Sequence, residues 1–293
     1  MSGARIAATL FTDPGCPWAY SAIPALRALE WRYGDALAWR LVTIGLTEHA
    51  SQYEARGYTP AGNAIGNQAF RNRFGMPFAL APKPRVAATG RGCRAIVAAR
   101  LDAPGSEWSV LRALQLANFT TPLMLDDDAL IAEALRGVPG IDGEALVGRL
   151  DDPDVAAAYE ADRAEARSAA GSAAERQGKT ARTDGPERYT APTLVLERDG
   201  LRLVAGGWQP LEAYDVLVAN LDPAIPRREP PDGPAPLLER FPEGLVTREV
   251  AALLARGNDD PDPAAAERAL LALVAEGRAR RTPLGHDALW TAA

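Results

Sequence analysis

A single cysteine lies at the junction between a short apolar strand and the start of a helix. The apolar run over residues 6–11 predicts the strand, and Asp13-Pro14-Gly15 predicts the turn that ends it. Cys16 is followed directly by Pro17, and proline is favoured at the first position of a helix. A second strand-forming run comes at residues 37–44. Strand, helix and strand form one right-handed βαβ unit, which predicts an α/β protein.

The scarcest residue types exclude most catalytic schemes. The 293-residue chain has two histidines, two lysines (Lys83, Lys179) and two cysteines (Cys16, Cys93), and none of them has the ligand spacing of a structural zinc site. Histidine-based triads and lysine Schiff bases therefore have almost no candidates. Cysteine chemistry is left, and we expect no metal and no tightly bound cofactor.

Charge and hydropathy limit the partners of the chain. The 32 basic and 38 acidic residues give a net charge of −6, so no overall basic field favours nucleic acid or an anionic membrane. The first apolar run is too short for a secretory signal, and no run approaches the ~18 apolar residues of a membrane span. Together with only two thiols, these features lead us to expect a cytoplasmic protein without membrane contact.

A long helical region follows the first βαβ unit. The apolar spacing predicts helices at residues 85–101, 107–117, 126–136, 142–150 and 152–174. They belong to an insertion at about residues 46–188, whose polar part at 48–75 is either a ligand contact or a plain loop. Strands return at 192–197 and 201–205 around the hairpin turn Asp199-Gly200, and a closing helix follows at 211–220. Inside the first helix, Pro24 predicts a kink or a break.

The C-terminal part is expected to be a separate small unit. Residues 222–236 form a proline-rich linker, and residues 237–293 follow it. Thr247 is expected to cap a helix at 248–255, before a second helix at 263–277 and a hairpin with Gly285 at its tip. This order predicts a winged-helix-like unit. Its seven arginines and nine acidic residues give a net charge of −2, which disfavours binding to a phosphate backbone.

Cys16 is the candidate catalytic residue. Unpaired N–H groups and the positive end of a helix dipole favour a thiolate at a helix start, so we expect a pKa below the ~8.5 of a free thiol. Lone cysteines are more often small buried apolar residues, and this alternative applies to Cys16 as well. Its position at the strand-to-helix junction favours the reactive interpretation.

Three segments resemble motifs of the DsbA-like thioredoxin-fold family, in the order that the family has them. Phe11-Thr-Asp-Pro-Gly-Cys-Pro-Trp-Ala-Tyr20 resembles the active-site segment of the FrnE-type branch. Tyr189-Thr-Ala-Pro-Thr-Leu-Val195 resembles the cis-proline segment, and Gly207-Trp-Gln-Pro210 resembles the run that opens the last helix. The resemblance covers residues 5–221 and implies a thioredoxin-like domain at residues 1–221 with a large helical insertion.

The same resemblance implies how the site is built. The bond between Ala191 and Pro192 is expected to be cis, and both residues are expected to bind the substrate together with Pro17 and Trp18. The small molecule that it implies is glutathione or another low-molecular-weight thiol.

One position departs from the dithiol members of the family. Ala19 stands where those members have a second cysteine. Kappa-class glutathione transferases and 2-hydroxychromene-2-carboxylate isomerases also lack the pair, and they resemble this chain in using one hydroxyl or thiol residue to face glutathione. Cys93, in a predicted insertion helix, is a possible resolving thiol for Cys16, although its apolar neighbours favour a packing role.

These observations predict a thiol–disulfide oxidoreductase of DsbA-like type that works through Cys16 and a mixed disulfide. Its partner would be a protein or small-molecule thiol or disulfide. One alternative is a glutathione- or small-thiol-dependent isomerase or transferase. Another is a non-catalytic adaptor or DNA-binding regulator, supported only by Arg278-Ala279-Arg280-Arg281. Nucleic acid is not the expected partner, and the sequence leaves the substrate and the oligomeric state open.

Overall fold

A computed structural model describes residues 5–257 and 259–293, so the first four residues of the predicted domain at 1–221 lie outside the described residues. The first unit contains β1 (Ile6–Thr12), α1 (Pro17–Ser21), α2 (Ile23–Tyr33) and β2 (Leu37–Thr43). The insertion contains α3 (Ala50–Glu54), α4 (Pro60–Phe74), α5 (Gly90–Asp102), α6 (Glu107–Thr120), α7 (Asp128–Leu135), α8 (Gly143–Gly148), α9 (Pro153–Ala166), α10 (Ala173–Arg176), β3 (Thr180–Ala181) and β4 (Arg188–Tyr189).

Two further groups complete the chain. The first domain closes with β5 (Thr193–Arg198), β6 (Leu201–Gly206) and α11 (Leu211–Leu221). The C-terminal unit contains α12 (Ala235–Arg240), β7 (Leu245–Val246), α13 (Thr247–Leu254), α14 (Pro263–Ala275), β8 (Ala279–Leu284) and β9 (Asp287–Ala292). None of the described helices is long and apolar enough to cross a membrane.

The central sheet has the strand order β2-β1-β5-β6 and confirms the α/β prediction. Strand β1 is parallel to β2 and antiparallel to β5, which is antiparallel to β6. Ile6 and Leu10 pack with α2 and α11 on one face, whereas Phe11 packs with the end of α9 on the other. Because side chains alternate along a strand, both faces of the sheet are buried, and the end of β1 lies beneath the insertion.

Local chemistry explains where the helices differ from the predicted ones. The first helix breaks at Ala22, as Pro24 predicted, giving α1 and α2. The segment at 48–75 is not a plain loop, because it contains α3 and α4, and Thr59 caps α4 by accepting a hydrogen bond from the amide of Gly62. The helix predicted at 152–174 ends at Ala166, and Gly171 further on has a φ of +76° that a helix does not allow.

The C-terminal unit is not separate from the rest of the chain. Its core packs on Ala28 and Trp31 of α2 and contains Leu237, Leu238, Phe241, Val250, Leu270 and Trp290. The strand order is β7-β9-β8, and the helices and hairpin follow the predicted order. Thr247 is not the cap of α13 but its first residue, and its hydroxyl donates a hydrogen bond to Asp287. That the unit is a winged helix remains a prediction.

A buried ion pair joins the C-terminal unit to the insertion. Both terminal nitrogens of Arg112 on α6 donate to the carboxylate of Glu249 on α13, at 2.7 and 2.8 Å. Arg112 also donates to the carbonyl of Gly244, and Glu249 accepts a hydrogen bond from the amide of Val246. The two charged side chains are 6% and 0% exposed, so each needs the other inside the protein.

Replacing Glu249 with alanine should therefore destabilise the whole chain. The change leaves the Arg112 guanidinium buried without its counter-ion, which costs about 3–5 kcal/mol in typical proteins. Urea unfolding followed by circular dichroism and tryptophan fluorescence measures the loss. Glu276→Ala is the matched control, because Glu276 pairs with Arg278 on the surface, where an ion pair contributes little. A first transition confined to the C-terminal unit would contradict the shared core.

Candidate active site

The thiol of Cys16 lies at the start of α1 and contacts the cis-proline segment. Cys16 has an extended backbone (φ −87°, ψ 116°), and its amide donates to the carbonyl of Asp13 at 3.2 Å. Its Sγ donates a hydrogen bond to the carbonyl of Ala191 at 3.1 Å. The bond between Ala191 and Pro192 is cis, as predicted. The structure thus brings the two motifs together at the sulfur atom.

The expected low pKa of Cys16 is wrong. Cys16 is only 6% exposed, and burial raises its pKa to about 12, with a further rise from the nearby Asp13 carboxylate. The amide of Ala19 and the cation of Arg188 act in the opposite direction, but the cost of removing a thiolate from water exceeds their effect. Helix α1 has only five residues, and the amides of Trp18 and Ala19 in its first turn lower the pKa of Cys16 by less than burial raises it. At neutral pH the resting group is therefore a thiol.

The buried carboxylate of Asp13 organises the loop that carries Cys16. It accepts hydrogen bonds from the amide of Gly15 at 2.8 Å, the amide of Leu46 at 2.9 Å and the hydroxyl of Thr89 at 2.9 Å. Burial raises the pKa of Asp13, whereas these hydrogen bonds lower it. A Cβ atom added at Gly15 would lie 2.5 Å from the methyl group of Thr89, so the cysteine loop and the start of α5 are in close contact.

Cys93 is fully buried in the core of the insertion, away from the space in front of Cys16. Its Sγ donates to the carboxylate of Asp13 at 3.4 Å, and burial raises its pKa. It packs among apolar residues of α5, α6 and α9, whereas Cys16 packs in another cluster with Ala19 and Ala191. This placement favours the packing role over a resolving role.

A cavity of about 590 Å³ opens in front of Cys16, and we call it the cysteine cavity. Cys16, Pro17 and Trp18 line one side of it. Trp18 is 40% exposed and meets Phe70 edge-on, with ring centroids 4.9 Å apart. Ala191 and Pro192 are buried behind the sulfur instead of lining the cavity. Pro17 and Trp18 are thus placed to contact a ligand, and Ala191 is placed to hold the thiol.

The helices α3 and α4 and the loop between them form the opposite wall. From the polar segment at 48–75, Tyr53, Asn63 and Asn67 line the cavity, whereas Gln68 and Arg71 do not. Tyr53 and Tyr58 pack against each other with ring centroids 4.8 Å apart. The volume is in the range of small-molecule sites, and the wall combines aromatic rings with amide side chains, as such sites usually do.

Among the described residues, the charged side chains that line the cysteine cavity are all basic. They are Arg56, Lys83, Arg85 and Arg188. Arg56 and Arg188 both hydrogen-bond Thr183, through its carbonyl and its hydroxyl respectively, and this connects the α3–α4 wall to the β3–β4 loop. Arg85 and Arg188 pair with Asp126 and Asp184 outside the lining, whereas Arg56 and Lys83 form no ion pair with a carboxylate of the described residues. The lining therefore has a surplus of positive charge, which favours an anionic ligand.

The sequence does not predict that these four basic residues form one site. They lie on two different loops and on β4, and nothing in their spacing shows that they converge. The scarcity of lysine was the one available signal, since Lys83 is one of two lysines in the chain.

Comparisons with known proteins agree with the fold. No family model and no curated protein matches the sequence. Among solved structures, the cytosolic disulfide reductase DsbM from Pseudomonas aeruginosa is 21% identical, with a TM-score of 0.50, and the match covers 74% of this chain and all of that one. The structure of DsbM with GSH matches with a TM-score of 0.51 at 20% identity, over 73% of this chain and 98% of that one.

A third structure is similar to the same extent. A probable DsbA oxidoreductase from Streptomyces coelicolor is 17% identical, with a TM-score of 0.55, and the match covers 75% of this chain and 91% of that one. At these identities the likeness shows the fold. The chain has the thioredoxin-like fold of DsbA-like oxidoreductases, which confirms the predicted fold class.

The buried thiol predicts a steep pH dependence of alkylation. With a pKa of about 12, the thiolate fraction of Cys16 rises tenfold per pH unit between pH 7 and pH 10. The rate of iodoacetamide labelling, measured by mass spectrometry in a Cys93→Ser variant, should rise with the same slope and show no plateau. A plateau below pH 9 would show that Cys16 ionises near neutral pH.

Proposed function

We propose that the chain carries out thiol–disulfide exchange through Cys16 and a mixed disulfide. The observation that carries the proposal is the free thiol of Cys16, which lies beside the cis-proline segment and at the edge of the cysteine cavity. The DsbA-like fold supports the assignment, because its other known proteins include disulfide reductases.

The exchange proceeds in two displacement steps. The Cys16 thiol first loses its proton to solvent, and the thiolate attacks one sulfur of a disulfide. A bond forms between Cys16 and that sulfur, the original S–S bond breaks, and the second sulfur leaves as a thiolate. A second thiolate then attacks the mixed disulfide and releases Cys16, so the cysteine ends in its starting oxidation state.

The second thiolate must come from outside the motif. Ala19 is buried beside Cys16 and carries no thiol, and Cys93 lies in the core of the insertion. We therefore propose that glutathione or another low-molecular-weight thiol resolves the mixed disulfide. The positive cysteine cavity supports this assignment, because such thiols commonly carry carboxylates. We place this reaction in the cytoplasm, where such thiols are reduced.

Two groups support the attack on the disulfide. The carbonyl of Ala191 holds the thiol in the resting state, and its hydrogen bond must break before the proton leaves. Arg188 lines the same cavity, and its cation lowers the pKa of Cys16. A ligand that displaces water would strengthen this attraction.

The raised pKa favours a second candidate function. A thiol that stays protonated can donate a hydrogen bond to the thiolate of bound glutathione and so activate it toward an electrophile. The chain would then be an isomerase or a transferase, and Cys16 would not exchange disulfides.

Two variants separate these functions. Ala19→Cys should accelerate the reduction of a peptide that contains one disulfide. The thiol introduced at position 19 would resolve the mixed disulfide on Cys16 within the molecule, whereas the parent needs an external thiol for this step. Cys16→Ser should abolish exchange, measured as the formation of one glutathione adduct by intact-protein mass spectrometry after incubation with oxidised glutathione.

The matched control for these variants is Cys93→Ser, which should keep the adduct. A serine hydroxyl can still donate a hydrogen bond to a thiolate. If Cys16→Ser retains turnover of a small electrophile in the presence of glutathione, while wild type forms no adduct, exchange is refuted and the second function is supported.

A further inference from the structure

Lys83 is half-buried in the loop between α4 and α5, and it lines the cysteine cavity. Its Nζ donates to the side-chain oxygen of Asn118 at 2.6 Å and to the carbonyl of Leu123. Both acceptors are neutral. An ammonium group has three donors, and these two contacts leave one of them for a ligand.

Within the described residues, Lys83 has no carboxylate partner of its own. The charged groups around it are Asp126 and Arg85, and Asp126 is already bound to Arg85 at 2.7 Å. Burial lowers the pKa of Lys83 to about 8, and the attraction of Asp126, which raises it, does not compensate. The structure therefore keeps a cation at the cavity wall without the counter-ion that half-burial demands.

An anionic ligand group would provide this counter-ion. Arg85 lies two residues further along the same loop and also lines the cavity, and its ion pair with Asp126 balances the charge of the acid that acts on Lys83. A hydrogen bond between an ammonium and a carboxylate is stronger than one between neutral groups, especially where water is excluded.

We propose that Lys83 binds a carboxylate of the ligand and makes the cysteine cavity selective for acidic thiols over uncharged ones. This inference rests on the proposed function, because it names the class of thiol that resolves Cys16. Uncharged thiols of similar size would lack the hydrogen bond to Lys83, so water would stay bound to the ammonium group in their place.

The test uses S-methylglutathione, which carries both carboxylates of glutathione but has no free thiol to react with Cys16. Calorimetry should show binding to wild type and about tenfold or weaker binding to Lys83→Met, as expected for loss of a charge-assisted hydrogen bond. Lys179→Met is the matched control, because Lys179 is the other lysine of the chain and does not line the cavity. It should bind as wild type does.

The diethyl ester of S-methylglutathione distinguishes recognition from a structural role. It lacks both negative charges, so wild type and Lys83→Met should bind it equally. Equal weakening of the acid and the ester in Lys83→Met would mean that the substitution only perturbs the wall, and this would overturn the proposal. Failure of S-methylglutathione to bind wild type at millimolar concentration would overturn it as well.

Proton uptake gives a readout that does not depend on a variant. A bound carboxylate raises the pKa of Lys83 from about 8, so wild type at pH 8.5 should take up a fraction of a proton on binding, and none at pH 6. Calorimetry in buffers of different ionisation enthalpy measures this number. Lys83→Arg should keep most of the affinity but show no uptake, because arginine does not titrate in this range.

Binding at Lys83 and exchange at Cys16 can be refuted separately. Cys16→Ser should still bind S-methylglutathione with Lys83-dependent affinity. If this binding is found and no mixed disulfide forms in wild type, thiol exchange is refuted and the selectivity remains. If the mixed disulfide forms but Lys83→Met binds S-methylglutathione as tightly as wild type, the selectivity is refuted and the exchange reaction is not.

Discussion

The buried carboxylate of Asp13 is the interaction on which the active-site architecture depends. It ends β1 and binds the amide of Gly15 in the cysteine loop, the amide of Leu46 after β2, and the side chains of Thr89 and Cys93 at the start of α5. A buried carboxylate is costly unless its lone pairs are satisfied, so these donors must stay in place together. One side chain thus fixes the cysteine loop, the second strand and the insertion relative to one another.

The same burial decides the chemistry of Cys16. At a helix start, amides and the dipole favour a thiolate, but these effects act over one turn and are modest. Desolvation acts on the whole sulfur atom, and Asp13 adds a negative charge close by. The loop that presents the thiol is therefore also the reason why it is protonated at rest, and activation depends on what enters the cysteine cavity.

The sequence predicted those parts of the fold that depend on local chemistry. The strand ending before Cys16, the break before Pro24 and the turn at Asp199-Gly200 are each set by a few neighbouring residues. The pKa of Cys16 could not be predicted, because burial is set by residues far away in the chain. For the same reason Lys83 and Arg188 were missed as partners in one cavity, and the packing of the C-terminal unit on α2 was not foreseen.

The pairing of Arg112 with Glu249 has a consequence for the way the protein is made. Glu249 follows Arg112 by 137 residues, so a ribosome working at about 5–20 residues per second adds it roughly 7–27 s later. During that interval the guanidinium has no counter-ion, and the face of α2 that will carry the C-terminal core is open to water. The earlier part of the nascent chain therefore cannot complete its core until the C-terminal unit has been synthesised, and chaperones that bind exposed apolar surface have that time in which to act.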